Sequence, residues 1–104
     1  MSKLSASMKK QAVWWRRTAD VDWRTAKSLN QLKRYNMALF MAHLAIEKQI
    51  KASIVEKTGR PAPYEHNLNR LAERAGIERD EDQKRVMTEI TSFNVLGRYQ
   101  TERV

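Results

Sequence analysis

The chain has 104 residues, of which 41% are hydrophobic and 31% charged, and a net charge of +8. This length predicts one domain with a modest core, and the lack of cysteine excludes disulfide frameworks, thiolate nucleophiles and zinc knuckles. The positive charge favours RNA, DNA or an acidic protein surface as a partner, although the basic residues are scattered and form no tail-like run. No apolar run reaches the length of a signal peptide or a membrane span, so we expect a soluble cytoplasmic protein that does not bind a membrane.

The first helix is predicted from about Gln11 to Leu32, after a polar and frayed segment at residues 1–9. One apolar face has spacings of three and four residues and comprises Ala12, Trp15, Ala19, Asp22, Trp23, Ala26 and Leu29. The small side chains of Ala19 and Ala26 favour close approach of another helix. A second stripe, formed by Trp14, Val21 and Leu32, predicts that this helix touches two neighbours.

The second helix is predicted from Tyr35 to Lys57 and is apolar on nearly every side. Tyr35, Leu39, Ala42, Ile46 and Ile50 fall on one side, and Met37, Met41, Leu44 and Val55 fall on the opposite side. A helix that is apolar all round is a buried one, so this should be the central helix. Residues 58–63 contain one glycine and two prolines and are expected to end it.

Two further helices complete the predicted domain. The third runs from about Asn67 to Ala75 and is closed by Gly76. The fourth has Asp80 and Gln83 as a capping box and ends near Gly97. With no alternating strand pattern, the sequence predicts one all-α domain over residues 1–104, an up-and-down antiparallel helical bundle of four or five helices.

Few residues offer chemistry. His43, on an apolar helix, is interpreted as a core histidine hydrogen-bonded to a neighbour, and His66 as a residue at a helix start. Two histidines without a carboxylate cluster predict no metal site, and no cofactor motif is present. Trp14, Trp15 and Trp23 are interpreted as core or interface anchors, with base stacking as the alternative.

The helices together resemble a HEPN domain (higher eukaryotes and prokaryotes nucleotide-binding). The family's motif residues correspond to Trp15, Ala19, Asp22 and Ala26 in the first helix; Tyr35, Ala38, Phe40, Ala45, Glu47, Lys48, Lys51 and Ala52 in the second; and then His66, Leu68, Leu71, Arg98 and Tyr99. The resemblance spans residues 14–99. The block Glu47-Lys48-x-x-Lys51-Ala52, in order with His66-x-Leu68 and Arg98-Tyr99, is its most specific part.

The resemblance implies a homodimer of helical bundles and a minimal nucleotidyltransferase partner, the two forming a toxin–antitoxin pair. Active HEPN toxins are metal-independent ribonucleases whose R-x(4–6)-H arginine stabilises the scissile phosphate while the histidine transfers a proton. Lys48, Lys51, Arg98 and Tyr99 are the implied nucleotide- or partner-binding residues, and Arg98 and His66 are the catalytic candidates. If Arg98 is the motif arginine, its histidine is expected at positions 103–105, where the chain has Arg103 and Val104 and then ends.

The missing histidine favours a non-catalytic HEPN module that binds a nucleotidyltransferase-type partner, a nucleotide or nucleic acid. A ribonuclease toxin whose histidine is His66, or comes from the dimer mate, is the alternative, and a plain homodimeric interaction domain is the third. We therefore predict that His66 and Arg98 do not reach one phosphate-sized site.

Overall fold

The computed structural model describes the backbone of residues 4–102 and the side chains of residues 4–93. It contains four helices: α1 (Ala6–Gln31), α2 (Tyr35–Thr58), α3 (Leu68–Arg74) and α4 (Glu81–Glu102). The described residues form no strand, and the helices pack on one another, which confirms the predicted all-α bundle. None of the described helices is long and apolar enough to cross a membrane.

Helix α1 begins earlier than the sequence predicts. Ser5 is its N-cap, and the Ser5 hydroxyl accepts a hydrogen bond from the backbone N–H of Met8 at 3.1 Å. A serine in this position satisfies one of the otherwise unpaired N–H groups of the first turn, which stabilises a helix start that has no apolar periodicity. The expectation of a frayed segment to residue 9 was therefore wrong for Ala6 to Lys9.

Helix α2 is the centre of the molecule and ends as predicted. It contacts α1, α3 and α4. Gly59 follows it with a left-handed φ of 67°, and its N–H donates to the Val55 carbonyl at 2.9 Å. Glycine suits this position because it has no Cβ to clash in the left-handed conformation. The turn sends the chain through residues 60–67 back along the side of α2.

The contact between α1 and α2 is built on alanine. Buried alanines recur every seven residues on both helices, at Ala12, Ala19 and Ala26 on α1 and at Ala38, Ala45 and Ala52 on α2. A seven-residue spacing keeps one seam facing the partner helix, and small side chains allow the backbones to approach closely. The ion pairs Arg16–Glu56 and Asp22–Lys48 join the helices in antiparallel order.

The second stripe of α1 has no neighbouring helix within the described part of the chain. Trp14, Val21 and Leu32 are 54%, 47% and 69% exposed, and α1 contacts α2 but neither α3 nor α4. The prediction that this stripe touches a second neighbour was therefore wrong for the described residues. Among them α3 and α4 both pack on α2, and α1 is covered on one face only.

Helices α3 and α4 close the other side of α2. The apolar core joins Ile50 and Ile54 of α2 to Leu71, Ala72 and Ala75, with Ile46 and Met87 packed against it. The predicted capping box is present, since Gln83 N–H donates to the Asp80 carboxylate at 2.7 Å and Asp80 N–H to the Gln83 side chain at 2.9 Å. Helix α4 does not end near Gly97 but continues to Glu102. A glycine permits a helix end but does not enforce one, and no proline follows.

Candidate functional site

A polar network lies inside the fold, on the side of α2 that faces the α2–α3 loop. His43, Glu47 and Lys51 follow each other at intervals of four residues, so α2 places them on one face. All three are buried, with 0%, 5% and 5% of their surface exposed. Buried charged groups require partners, and the geometry around Glu47 provides them.

The Glu47 carboxylate is the hub of this network. Its Oε2 accepts from Lys51 Nζ at 3.1 Å, and its Oε1 accepts from His66 Nδ1 at 3.0 Å. The Nδ1 atom of His43 lies 3.6 Å from the same Oε1. Glu47 thus ties its own helix to the loop that leads into α3.

His43 provides a second link to the same loop. Its Nε2 lies 2.8 Å from the carbonyl oxygen of His66, and because a carbonyl can only accept, Nε2 carries the hydrogen. Burial lowers the pKa of His43 below its ordinary value, and this outweighs the opposing effects of that hydrogen bond and of Glu47. Neutral His43 is therefore a structural donor held in one tautomer.

The loop itself is ordered by Glu65. Its Oε2 accepts the backbone N–H groups of His66 and Asn67 at 3.1 and 3.4 Å. Burial by itself would raise the pKa of Glu65, but these donors, together with Arg70 and Arg74, lower it. The side chain of Asn67 then caps α3 by accepting from Arg70 N–H at 3.1 Å. His66 thus lies between two residues, Glu65 and Asn67, whose side chains order the backbone of the loop.

A second polar link joins α1 to α2. Asp22, 9% exposed on an otherwise apolar helix face, pairs with Lys48 Nζ at 2.7 Å. The ammonium groups of Lys48 and Lys51 lie 5.8 and 5.3 Å from the ring centroids of Trp14 and Trp15, respectively. These distances are within the range of a cation–π contact. Each lysine therefore contacts both a carboxylate and an indole.

The structure tests some of the predicted site residues and leaves others outside the described side chains. The interpretation of His43 as a hydrogen-bonded core histidine is confirmed, and His66 does lie at the start of α3, where its side chain turns inward to Glu47. Lys48 and Lys51, predicted to bind a nucleotide or partner, both make ion pairs within the chain. Arg98 falls within α4, but its side chain and that of Tyr99 lie outside the described residues. The separation of His66 from Arg98 therefore stays a prediction.

Chemically, this arrangement suits a structural role. The second ring nitrogen of His66, Nε2, is buried and has no hydrogen-bond partner among the described residues. A general acid or base must reach the proton that it transfers, and the ring nitrogens without a partner among the described residues, Nδ1 of His43 and Nε2 of His66, are both buried in this conformation. Within residues 4–93, no three histidine and carboxylate side chains are grouped so as to hold a metal ion.

Sequence reasoning missed Glu47 as the organising residue. The spacing of His43, Glu47 and Lys51 could have indicated a shared face, and Asp22 on an apolar stripe could have indicated a buried partner, but neither inference was drawn from the sequence. What the spacing does not contain is the contact with His66, because that pair is 19 residues apart and depends on how the proline loop returns to α2.

Comparison with known proteins agrees with this architecture. No curated protein and no solved structure matched the chain significantly. The family model described as "HEPN domain" matches residues 12–104. That match takes in α1 from Ala12 onward and all of α2, α3 and α4, including every residue of the polar network. The chain belongs to the HEPN domain family.

Proposed function

We propose that this chain is a non-catalytic HEPN module that binds a minimal nucleotidyltransferase in a two-component, toxin–antitoxin-like system. The observation that carries the proposal is the environment of His43 and His66. His43 is buried and donates to the His66 carbonyl, while His66 donates to Glu47. Proton transfer at a phosphate would have to use the other ring nitrogen, Nδ1 of His43 or Nε2 of His66, and both are buried.

In this proposal Lys48 and Lys51 contribute to binding indirectly. Lys48 joins α2 to α1 through Asp22, whereas Lys51 pairs with Glu47 on its own helix and contacts Trp15 of α1. Both therefore stabilise the α1–α2 pair that presents the binding surfaces. Arg98 and Tyr99 are assigned to contact with the nucleotidyltransferase or its nucleotide. This assignment follows from the family motif.

We also propose that the module is a homodimer, and a groove beside Trp23 supports this. The Trp23 groove has a volume of about 550 Å³ and lies between α1 and α2, where it is lined in part by Trp23, Ala26, Tyr35, Ala38, Leu39 and Ala42. Trp23 and Tyr35 are 48% and 56% exposed. Half-exposed aromatic residues at the edge of an apolar groove are typical of a protein interface.

Whether the chain is a ribonuclease toxin is tested by the growth of cells that express it alone. Cells that express His66→Ala or Arg98→Ala are grown for comparison. We expect all three strains to grow normally, and the purified chain to leave RNA intact in buffer without divalent metal. Growth arrest and RNA cleavage that His66→Ala or Arg98→Ala abolishes would refute the non-catalytic module and establish the ribonuclease.

Partner binding and dimerisation have separate tests. Co-expression with a minimal nucleotidyltransferase encoded beside this chain should give a complex that survives gel filtration, and separate elution would contradict the partner. Light scattering of the chain alone should give twice 12.2 kDa. Trp23→Ala should shift the mass toward the monomer, while Trp14→Ala, an equally exposed tryptophan outside the Trp23 groove, should not. A wild-type monomer would refute the dimer.

A further inference from the structure

The first half of α1 presents an aromatic side chain surrounded by cations. The Trp14 face comprises Lys9, Lys10, Val13, Trp14 and Arg17, which line a groove of about 350 Å³. Lys10 precedes Trp14 by four residues and Arg17 follows it by three, so all three project from the same side of the helix. The two cations thus lie on either side of the indole along the helix axis, about 10 Å apart.

The positive charge of the protein is concentrated at this end of the sequence. The first 19 residues hold five lysines or arginines and no carboxylate, whereas the remaining 85 hold fifteen against twelve. Five of the eight net charges therefore lie in the first fifth of the chain. The basic residues by themselves are scattered along the sequence, and the asymmetry arises from the distribution of the acidic residues.

The cations of the Trp14 face have no acidic partner within the described residues. Arg16, on the neighbouring side of α1, pairs with Glu56, but no ion pair among the side chains of residues 4–93 involves Lys9, Lys10 or Arg17. A solvated cation cluster next to an exposed ring is complementary to a polyanion that carries flat apolar groups. The field of such a cluster also attracts that ligand.

The indole of Trp14 is held in place while more than half of it stays exposed. Trp15 packs against it edge-to-face, with ring centroids 4.8 Å apart at 71°, and Lys48 lies 5.8 Å from its centroid. A second groove, shared with Trp15 and the loop residues Pro61 and Ala62, adjoins Trp14. A rigid ring between two grooves loses little conformational entropy when a planar group stacks on it.

We propose that the Trp14 face binds single-stranded nucleic acid, with a base stacked on Trp14 and flanking phosphates contacted by Lys10 and Arg17. Stacking on an aromatic platform inside a basic groove is how proteins bind single strands without reading their sequence. The apolar part of this face is small, only Val13 and Trp14, and a protein helix needs a longer apolar stripe. This surface is separate from the Trp23 groove and does not depend on whether the module is catalytic.

The test measures fluorescence anisotropy of labelled 12-nucleotide RNA and DNA with the full-length chain over a range of salt concentrations. We expect the chain to bind both single strands more tightly than a duplex of the same sequence. Trp14→Ala should weaken binding at least about fivefold, Trp14→Phe should retain most of the affinity, and Tyr64→Ala, an exposed aromatic residue outside the Trp14 face, should leave it within about twofold of wild type. Because Trp14 is exposed, the circular dichroism of Trp14→Ala should match that of the wild type.

The cations are tested by the salt dependence. Replacing Lys10 and Arg17 together by glutamine should reduce the slope of log affinity against log salt by about 1.4, because each phosphate of a single strand that a cation neutralises contributes about 0.7. Replacing the exposed Lys33 and Arg34 in the same way is the control and should leave the slope unchanged.

Three results would overturn the proposal. These are wild-type affinity in Trp14→Ala, tighter binding of duplex than of single strands, and no binding at low salt. After the last result, an acidic protein surface would be the next ligand to test for these cations. If the chain proves to be a ribonuclease, the same titrations are made with His66→Ala, so that failure of the non-catalytic module and failure of the Trp14 face give different results.

Discussion

Replacement of Glu47 by glutamine is the sharpest test of the buried polar network. The Glu47 carboxylate accepts from Lys51 and from His66, at 3.1 and 3.0 Å. The amide of glutamine has a single acceptor oxygen, and its NH₂ group would face a donor. Lys51, whose side chain is only 6% exposed, would then keep a buried charge without an anion.

The expected loss of stability follows from the burial of this ion pair. Removing one partner of a buried ion pair costs about 3–5 kcal/mol of unfolding free energy, a large part of the total of about 5–15 kcal/mol for a domain of this kind. For a domain of about 100 residues, even the lower figure corresponds to a fall in Tm of more than about 10 °C. We expect urea titrations followed by circular dichroism to show a midpoint far below that of the wild type.

The chain contains a matched control for this substitution. Glu56 pairs with Arg16 at the surface, where both side chains are more than 40% exposed, so Glu56→Gln should cost less than about 1 kcal/mol. The double variant Glu47→Gln with Lys51→Met removes the unpaired cation and should recover part of the loss. If Glu47→Gln costs no more than Glu56→Gln, or if Lys51→Met recovers nothing, the network does not hold the loop in the way described.

Three further substitutions test other parts of the structure. Ala45→Leu should lower the free energy of unfolding by about 1–3 kcal/mol, because the alanine seam between α1 and α2 has no room for a larger side chain. Arg17→Leu, at an exposed position, should change it little. Equal effects of the two substitutions in urea titrations would contradict close packing of α1 and α2. Because burial lowers the pKa of His43, the unfolded chain binds a proton below pH 6.5 that the folded chain does not, so stability should fall as pH is lowered through that window and level off once folded His43 is also protonated. His43→Gln should flatten this pH dependence between pH 7 and 5, and a slope identical to the wild type would show that His43 is not responsible. Gly59→Ala should cost about 1 kcal/mol in thermal unfolding because of the left-handed φ of 67°, and an unchanged Tm would mean that this turn relaxes.

Much of the fold of this protein can be predicted from its sequence alone. The periodicity of apolar residues specified four helices, and the all-round apolar character of residues 35–57 identified the central one. The local signals also held, since the glycine after Thr58 and the capping box at Asp80 depend on interactions within a few residues. The resemblance to the HEPN family was readable too, because the block from Glu47 to Ala52 occurs in order with His66-x-Leu68 and Arg98-Tyr99.

The tertiary structure decided which faces are covered and what the motif residues do. Periodicity placed Trp15 on the main apolar face of α1 and Trp14 on a second stripe. Within the described residues neither α3 nor α4 contacts α1, and Trp14 stays exposed beside Lys10. In the same way, the sequence shows Glu47 only as one residue of the family motif. Its role in joining α2 to the loop depends on the fold, which brings His66 within hydrogen-bond distance of it. Such contacts join residues that are distant along the chain, so their formation depends on the path of the whole fold rather than on local propensity.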